Sequence, residues 1–247
     1  MPTTQAEGLW VCKLGGAALQ DAAKAEDLYQ RLAAHHAAGR QLVVVHGGGP
    51  AVSAMAKRLG VASSFHDGLR VTSPALMEVA QMVQLGQVGR GVVTGLARLG
   101  VPALSLSGAD FAGMLRARLH PERALGRVGE IDAVDVDRLT ALTAAGVVPV
   151  IAPIGVDEDM LPLNVNADSV AQAVAAALQA ERLIFVSDVQ AVLGPEGPVE
   201  VLRAAQARDW LKDGTIHGGM VPKIRGALDA LDLGVGQVAI GNTRICP

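Results

Sequence analysis

Three separated polar patches carry the residue types that handle phosphate: Lys13-Leu14-Gly15-Gly16, His46-Gly47-Gly48-Gly49, and Gly218-Gly219-Met220-Val221-Pro222-Lys223. The first two each follow an apolar strand-like run and open onto helical sequence, where backbone N–H groups and a helix N-terminus can cradle anionic oxygens. Two glycine loops and two lysines point to phosphoryl chemistry. Lys13 ends the first apolar run, and in an open α/β sheet that carboxyl edge is where ligands bind. With Gly15 and Gly16 beside it, a functional lysine is preferred to a solvated edge charge. The run Gly47-Gly48-Gly49 carries a conformational penalty unless the loop needs positive φ or close backbone approach. An anion or reacting group nearby is therefore preferred to a plain tight turn. His46 is given no catalytic role, because a histidine at a strand end is more often hydrogen-bonded structure than a proton donor.

Further along, Gly68-Leu69-Arg70-Val71-Thr72 places an arginine in a loop before a long helix. Its guanidinium suits bidentate capture of a carboxylate, although a lone loop arginine is usually surface charge. In Asn164-Val165-Asn166-Ala167-Asp168, two amides and an acid precede an apolar helix. Capping by Asn166 or Asp168 explains one of the three and leaves the rest of the cluster for other work. Asp188 ends a strand and either meets a nucleotide or merely terminates it. Lys223 projects from a helix start, with Pro222 suited to the first turn and glycines before it.

These patches need a scaffold that brings strand ends and helix starts together. Leu9 to Leu14, Leu42 to Val45, Val147 to Ala152, Leu183 to Val186 and Val238 to Ile240 are short, apolar on both faces and rich in β-branched residues, the pattern of buried parallel strands. Helix-like stretches alternate with them at Ala22 to Ala38, Ala51 to Leu59, Pro74 to Leu99, Val136 to Ala145, Ala167 to Leu178 and Val221 to Leu231. This alternation predicts an α/β fold with a mainly parallel sheet covered on both sides. Leu115 to Ile131 loses helical period and holds Pro121, Gly126 and Gly129, which predicts hairpins laid over the mouth of the sheet. Pro195 to Pro198 reads as a turn.

Composition excludes several classes. The chain has 247 residues, 50% of them hydrophobic, a net charge of -3 and only 2% aromatics, so a basic, stacking surface for nucleic acid is not expected. Cys12 and Cys246 lie at opposite ends, unlike a zinc site or a secreted disulfide scaffold, and a reducing cytoplasm is expected. Leu139 to Val156 is interrupted by Gly146, Pro149 and Pro153, so no segment reads as membrane-spanning. There is no GxxxxGK[ST], GxSxG or HExxH pattern, no GxGxxG after the first strand, and no clustered Cys/His set, so no metal site is assigned.

The ordered set VCKLGGAAL, VVVHGGGP, DGLRVT, LNVNAD, FVSDV, GGMVPK and GNTRI, spread over essentially the whole chain, resembles the amino acid kinase family. Within it, DGLRVT and NVNAD are most similar to the branch that phosphorylates N-acetyl-L-glutamate in arginine biosynthesis. The resemblance implies a three-layer α/β/α sandwich of the carbamate kinase-like kind, one domain with an acyl-amino-acid lobe over about 1–165 and an ATP lobe over about 166–247. Lys13 and Lys223 would approach the transferring phosphoryl group and Asp168 would orient both. Gly48 and Gly49 would donate to the reacting end of the substrate, Gly15 and Gly16 would lie near the phosphates, and Arg70 and Asn164 would hold the α-carboxylate. Asp188, Thr215, Ile216 and His217 would lie by the nucleotide, His217 without an assigned role. ATP with Mg²⁺ is the implied co-substrate.

Only twelve residues precede Lys13. The long N-terminal helix that links dimers into arginine-sensitive hexamers in part of the family is thus expected to be absent, giving an arginine-insensitive homodimer packed through the Pro74 to Leu99 region. Two other readings differ in partner or activity. One is a kinase for aminoadipate or glutamate held on an acidic carrier protein, for which Arg116, Arg118, Arg123 and Arg127 would offer a basic patch. The other is a catalytically silent regulator that binds amino acid or ATP on the same fold.

Overall fold

The computed structural model describes residues 8–186 and 189–247. Its centre is an eight-stranded sheet in the order Val201–Arg203, Thr243–Cys246, Gln237–Ile240, Arg182–Val186, Leu9–Leu14, Gln41–His46, Val148–Ile151, Ala103–Leu106. Every pairing is parallel except that of Gln237–Ile240 with Thr243–Cys246. The strand Leu9–Leu14 is the switch point: the chain continues to Gln41–His46 on one side, and Arg182–Val186 fills the other much later. Such a point leaves a crevice at the carboxyl ends of the strands.

Both faces of the sheet are buried, which is why its strands read as unbroken apolar runs. Side chains alternate along Leu9–Leu14. Leu9 and Val11 join a core with Val170, Val174, Ile224 and Ala227, whereas Trp10, Cys12 and Leu14 join another with Leu28, Leu32, Val92 and Leu96. Helices therefore cover the sheet on both sides, and the result is the α/β/α sandwich. A third apolar cluster, with Val52, Leu76, Val79 and Val83, lies under the helices that follow the second glycine loop.

Most expected elements form within one or two residues of their bounds, but three differ. The helix expected over Pro74 to Leu99 is α-helical at Pro74–Gln81, π-helical at Met82–Gly89, and α-helical again at Arg90–Arg98. Apolar spacing alone does not separate i→i+5 from i→i+4 bonding. The hairpin expected over Leu115 to Ile131 forms from Leu115–Leu119 and Val128–Val134, and closes with Ile154–Val156 and Pro162–Val165 into a four-stranded barrel. Arg70 lies in a short hairpin, Ser64–His66 with Leu69–Val71, rather than in a loop. Asp67 and Gly68, both at positive φ, make its two-residue turn.

Candidate active site

Strand alternation decides where Lys13 goes. It shares the face of Leu9 and Val11, the face covered by helices Ala167–Ala177 and Met220–Asp232. Asn166 caps the first of these, its side-chain oxygen accepting from the N–H groups of Asp168 at 2.8 Å and Ser169 at 3.2 Å. That cap fixes Asp168 in the first helical turn, where the helix dipole also favours a carboxylate. Lys13 Nζ stands 2.8 Å from Asp168 Oδ1, an ion pair whose alignment is too oblique for a good hydrogen bond. Lys13 is mostly covered and Asp168 about half exposed, so the pair orients charge more than it stabilises the fold.

Around this pair opens a cavity of about 560 Å³ lined by Lys13, Gly15, Gly16, Asn166, Asp168, Gly219 and Lys223, with Gln172 and Arg225 farther along. Its size suits a small organic ligand. Two helix N-termini, two lysines and several glycines face it, an arrangement that attracts an anion with several oxygens. Lys223 sits in the first turn of Met220–Asp232, as its Pro222 implies. It lines the same cavity, and Asp168 pairs with Lys13 and not with Lys223.

The second glycine loop lies directly against the first. A methyl group on Gly16 would stand 3.3 Å from Gly47 C and Gly48 N, and Gly47 N donates to Leu14 O at 2.8 Å. Only residues without a Cβ let the two backbones approach so closely. On the far side, Arg70 is buried and stacked on Phe65, its guanidinium 4.6 Å from the ring centre. Its Nη2 donates to Gly49 O at 2.7 Å and Ser53 Oγ at 3.0 Å, and its Nη1 to Ser63 Oγ at 2.6 Å. Of the five N–H donors of arginine, this leaves one on Nη1 and the one on Nε. Burial lowers its pKa from the ordinary value, though a guanidinium stays charged.

Asn164 reaches the same place through Thr72. Asn164 Nδ2 donates to Thr72 Oγ1 at 3.0 Å, and that hydroxyl donates to Arg70 O at 2.7 Å. Thr72 N and O are also bonded to Leu125 O and Arg127 N, so the barrel supports the hairpin. The structure thus joins Gly49, Arg70 and Asn164 in one bonded region next to Gly48, and Lys13, Gly15, Gly16, Asp168 and Lys223 around one cavity, the two meeting at the glycine contact. Ile216 is a core residue, 3% exposed, because its neighbours are the buried side chains under helix Ala204–Lys212. Thr215 and exposed His217 bond to each other's neighbourhood through His217 Nδ1 and Thr215 O, 3.1 Å apart, outside the cavity lining. Asp188 lies outside the described residues.

Three contributors are not singled out in the sequence reading: Thr72, Ser53 and Ser63. Each is a small hydroxyl whose role depends on its tertiary partner, the Arg70 guanidinium for Ser53 and Ser63 and the Asn164 amide for Thr72, and no local pattern announces that. Cys12 is no nucleophile, since burial pushes its thiol up to about 12. Among the described residues no three His, Cys, Asp or Glu side chains are grouped to hold a metal ion, and no helix is long and apolar enough to cross a membrane.

Residues 8–242 match the model of the amino acid kinase family. An acetylglutamate kinase of Symbiobacterium thermophilum is 44% identical over 95% of this chain and 84% of its own length. One from Chloroflexus aurantiacus is 48% identical over 81% of this chain and 80% of its own. Among solved structures, a protein from Streptococcus mutans superposes with a TM-score of 0.85 at 31% identity, covering 97% of this chain and 99% of the other. Carbamate kinase from Giardia lamblia bound to AMP-PNP superposes at 0.74 with 18% identity, covering 98% and 99%, which is a likeness of fold.

Proposed function

The chain belongs to the amino acid kinase family, and from that premise we propose that it transfers the γ-phosphoryl group of ATP to the side-chain carboxylate of N-acetyl-L-glutamate. The product is N-acetyl-L-glutamyl 5-phosphate, in arginine biosynthesis. The single observation that carries the mechanism is the Lys13–Asp168 pair at the mouth of a two-lysine cavity, back to back with the loop of Gly48 and Gly49.

The nucleophile is a carboxylate with an ordinary pKa of about 4, ionised at neutral pH. No general base is needed, and the obstacle is the approach of one anion to another. Catalysis then consists of alignment and of neutralising charge on the phosphoryl oxygens. Lys13 and Lys223 supply the neutralising charge, with Asp168 holding Lys13 in place. Gly15 and Gly16 offer backbone donors to the phosphates, and the N–H groups of Gly48 and Gly49 steady the accepting carboxylate. Mg²⁺ fits as an ion that arrives on the triphosphate and screens it.

Arg70 and Asn164 hold the α-carboxylate. Because Nη2 is already committed to Gly49 and Ser53, no bidentate fork is left free, and the carboxylate accepts one hydrogen from Nε or from Nη1, which lie on different edges of the guanidinium. The arginines of the barrel are largely spoken for: Arg118 pairs with Glu130 and Asp132, Arg127 with Asp157, and Arg116 bonds carbonyls. A free amino acid derivative therefore suits the site better than an acidic carrier. A cytoplasmic homodimer formed through the 74–99 segment completes the proposal.

Hydroxylamine traps acyl phosphates as hydroxamates. With MgATP, signal from N-acetyl-L-glutamate and little from glutamate, aspartate or N-acetylaminoadipate is the expected result; equal signal from free glutamate would overturn the acceptor assignment.

A further inference from the structure

The loop proposed to steady the accepting carboxylate is supported from behind by side chains that no step above uses. Glycine runs are costly to hold still, yet oriented N–H donors help a reaction only if they are fixed beforehand. Gln84, 95% buried in the π-helical segment, lies against Gly48: a methyl there would stand 3.1 Å from Gln84 Cγ and 3.7 Å from Val88 Cγ2. One residue on, Gly89 lies against His46, the residue that leads into the loop. A methyl on Gly89 would stand 3.2 Å from His46 Nε2 and closer still to Ser105 Oγ. His46 itself is fully buried, with Nδ1 3.4 Å from Gly47 O.

The π-helical bonding explains why one segment reaches both ends of the loop. An i→i+5 turn is wider than an α-turn, and it sets Gln84, Val88 and Gly89 on the side facing residues 46–48. Three polar atoms are held within this packing. Gln84 Oε1, His46 Nε2 and Ser105 Oγ are all buried without a hydrogen-bond partner. Apolar side chains of the same shape would fill the space at lower cost, since an unsatisfied buried polar group is destabilising.

We propose that Gln84 and His46 are positioning residues for phosphoryl transfer, holding Gly47–Gly49 from behind so that the N–H groups of Gly48 and Gly49 stay directed at the reacting carboxylate. The inference rests on the acceptor site proposed above. Neither side chain needs to touch substrate. Ser105 shares the buried cluster but meets the helix rather than the loop, so it serves as the control.

The test removes the side chain that backs Gly48 and compares Gln84→Ala with Ser105→Ala in the full chain, with Gln84→Met, which keeps a Cγ at the contact, as the rescue. Gln84→Ala is expected to leave the KM for ATP unchanged while kcat falls about tenfold or more, because small misalignments of reacting groups are expensive in rate. Gln84→Met should recover most of that loss, and Ser105→Ala should leave kcat near the parent value. Equal kcat loss in Gln84→Ala and Ser105→Ala, or unchanged kcat in Gln84→Ala, overturns the proposal. Glycine-selective amide spectra supply a readout independent of turnover: Gly47–Gly49 should shift or broaden in Gln84→Ala and not in Ser105→Ala. If the parent enzyme gives no hydroxamate with acetylglutamate, the acceptor reading fails, and these spectra still decide whether Gln84 positions the loop.

Discussion

The two halves of the site are built on opposite plans. Around Lys13 the functional groups are charged, partly exposed and arranged about open space, with one ion pair setting their geometry. Around Gly49 the groups are already bonded to one another, buried Arg70 to Gly49, Ser53 and Ser63, and Asn164 to buried Thr72. The first half is equipped to neutralise a changing charge, which requires cations that are not consumed by the fold. The second must present a small anion in one orientation, which requires a rigid frame. Loss of a group should therefore show in kcat on the cavity side and where the Gly47–Gly49 loop itself is disturbed, and in acceptor KM or stability around Arg70 and Asn164.

The largest effect expected is on the cavity side. Lys13→Ala and Lys223→Ala should each lower kcat about a hundredfold or more, since a preorganised donor at developing charge is typically worth about 3 kcal/mol. Acceptor KM should change little. Asp168→Asn should follow Lys13→Ala, because Asp168 meets Lys13, and a Lys223 variant combined with it should cost more than either alone. Steady-state kinetics with near-normal kcat in both lysine variants would break the contrast between the halves.

The loop side should instead carry an acid sensitivity. Burial draws His46 down from 6.5 to about 4, opposed by its contact with the Gly47 carbonyl. Its folded pKa lies below its unfolded one, so the unfolded chain takes up the proton first. The stability that His46 contributes is complete above about 6.5 and is lost as pH falls towards 4, at most about 3 kcal/mol. Urea unfolding of the parent and of His46→Asn should give curves that converge in slope above that window and diverge within it. Identical pH dependence in the two would show that the ring titrates normally.

Arg70→Ala comes next. It removes a guanidinium from three acceptors and a ring, so acceptor KM should rise about tenfold or more and Tm should fall, consistent with buried charged hydrogen bonds. Arg70→Lys should recover little of either, because one ammonium cannot reach acceptors spread around a planar fork. A lysine variant with parental KM would mean that charge alone suffices.

How much of this is legible in the sequence follows the same division. Lys13, Asp168 and Lys223 are readable because each stands where a strand ends or a helix begins, and those positions follow from apolar runs, glycines and Pro222. The central strands are readable because burial on both faces erases alternation. The edge strand Ala103–Leu106, with its half-covered pattern, and helix Ala204–Lys212 do not stand out. Asp67-Gly68 does carry a two-residue hairpin signal, which the neighbouring Arg70 obscures by inviting a loop reading. The links from Arg70 to Ser53 and Ser63, and from Asn164 to Thr72 across 92 residues, are set by tertiary folding alone.

The smallest predicted effect is the sharpest test of the frame on the loop side. Thr72 is fully buried and stands between the two groups proposed for the α-carboxylate, accepting from Asn164 and donating to Arg70 O. Thr72→Val keeps the shape and removes both bonds, which strands the Asn164 amide and the carbonyl. Loss of a buried hydrogen bond typically costs about 1 kcal/mol, so acceptor KM should rise about fivefold with kcat and the KM for ATP unchanged. If the cost fell instead on kcat, Thr72 would be aligning the reacting carboxylate rather than framing the α-carboxylate, and the division of labour would fail. If it fell on Tm alone, Thr72 would be tying hairpin to barrel without orienting Asn164, and the frame would begin at Arg70.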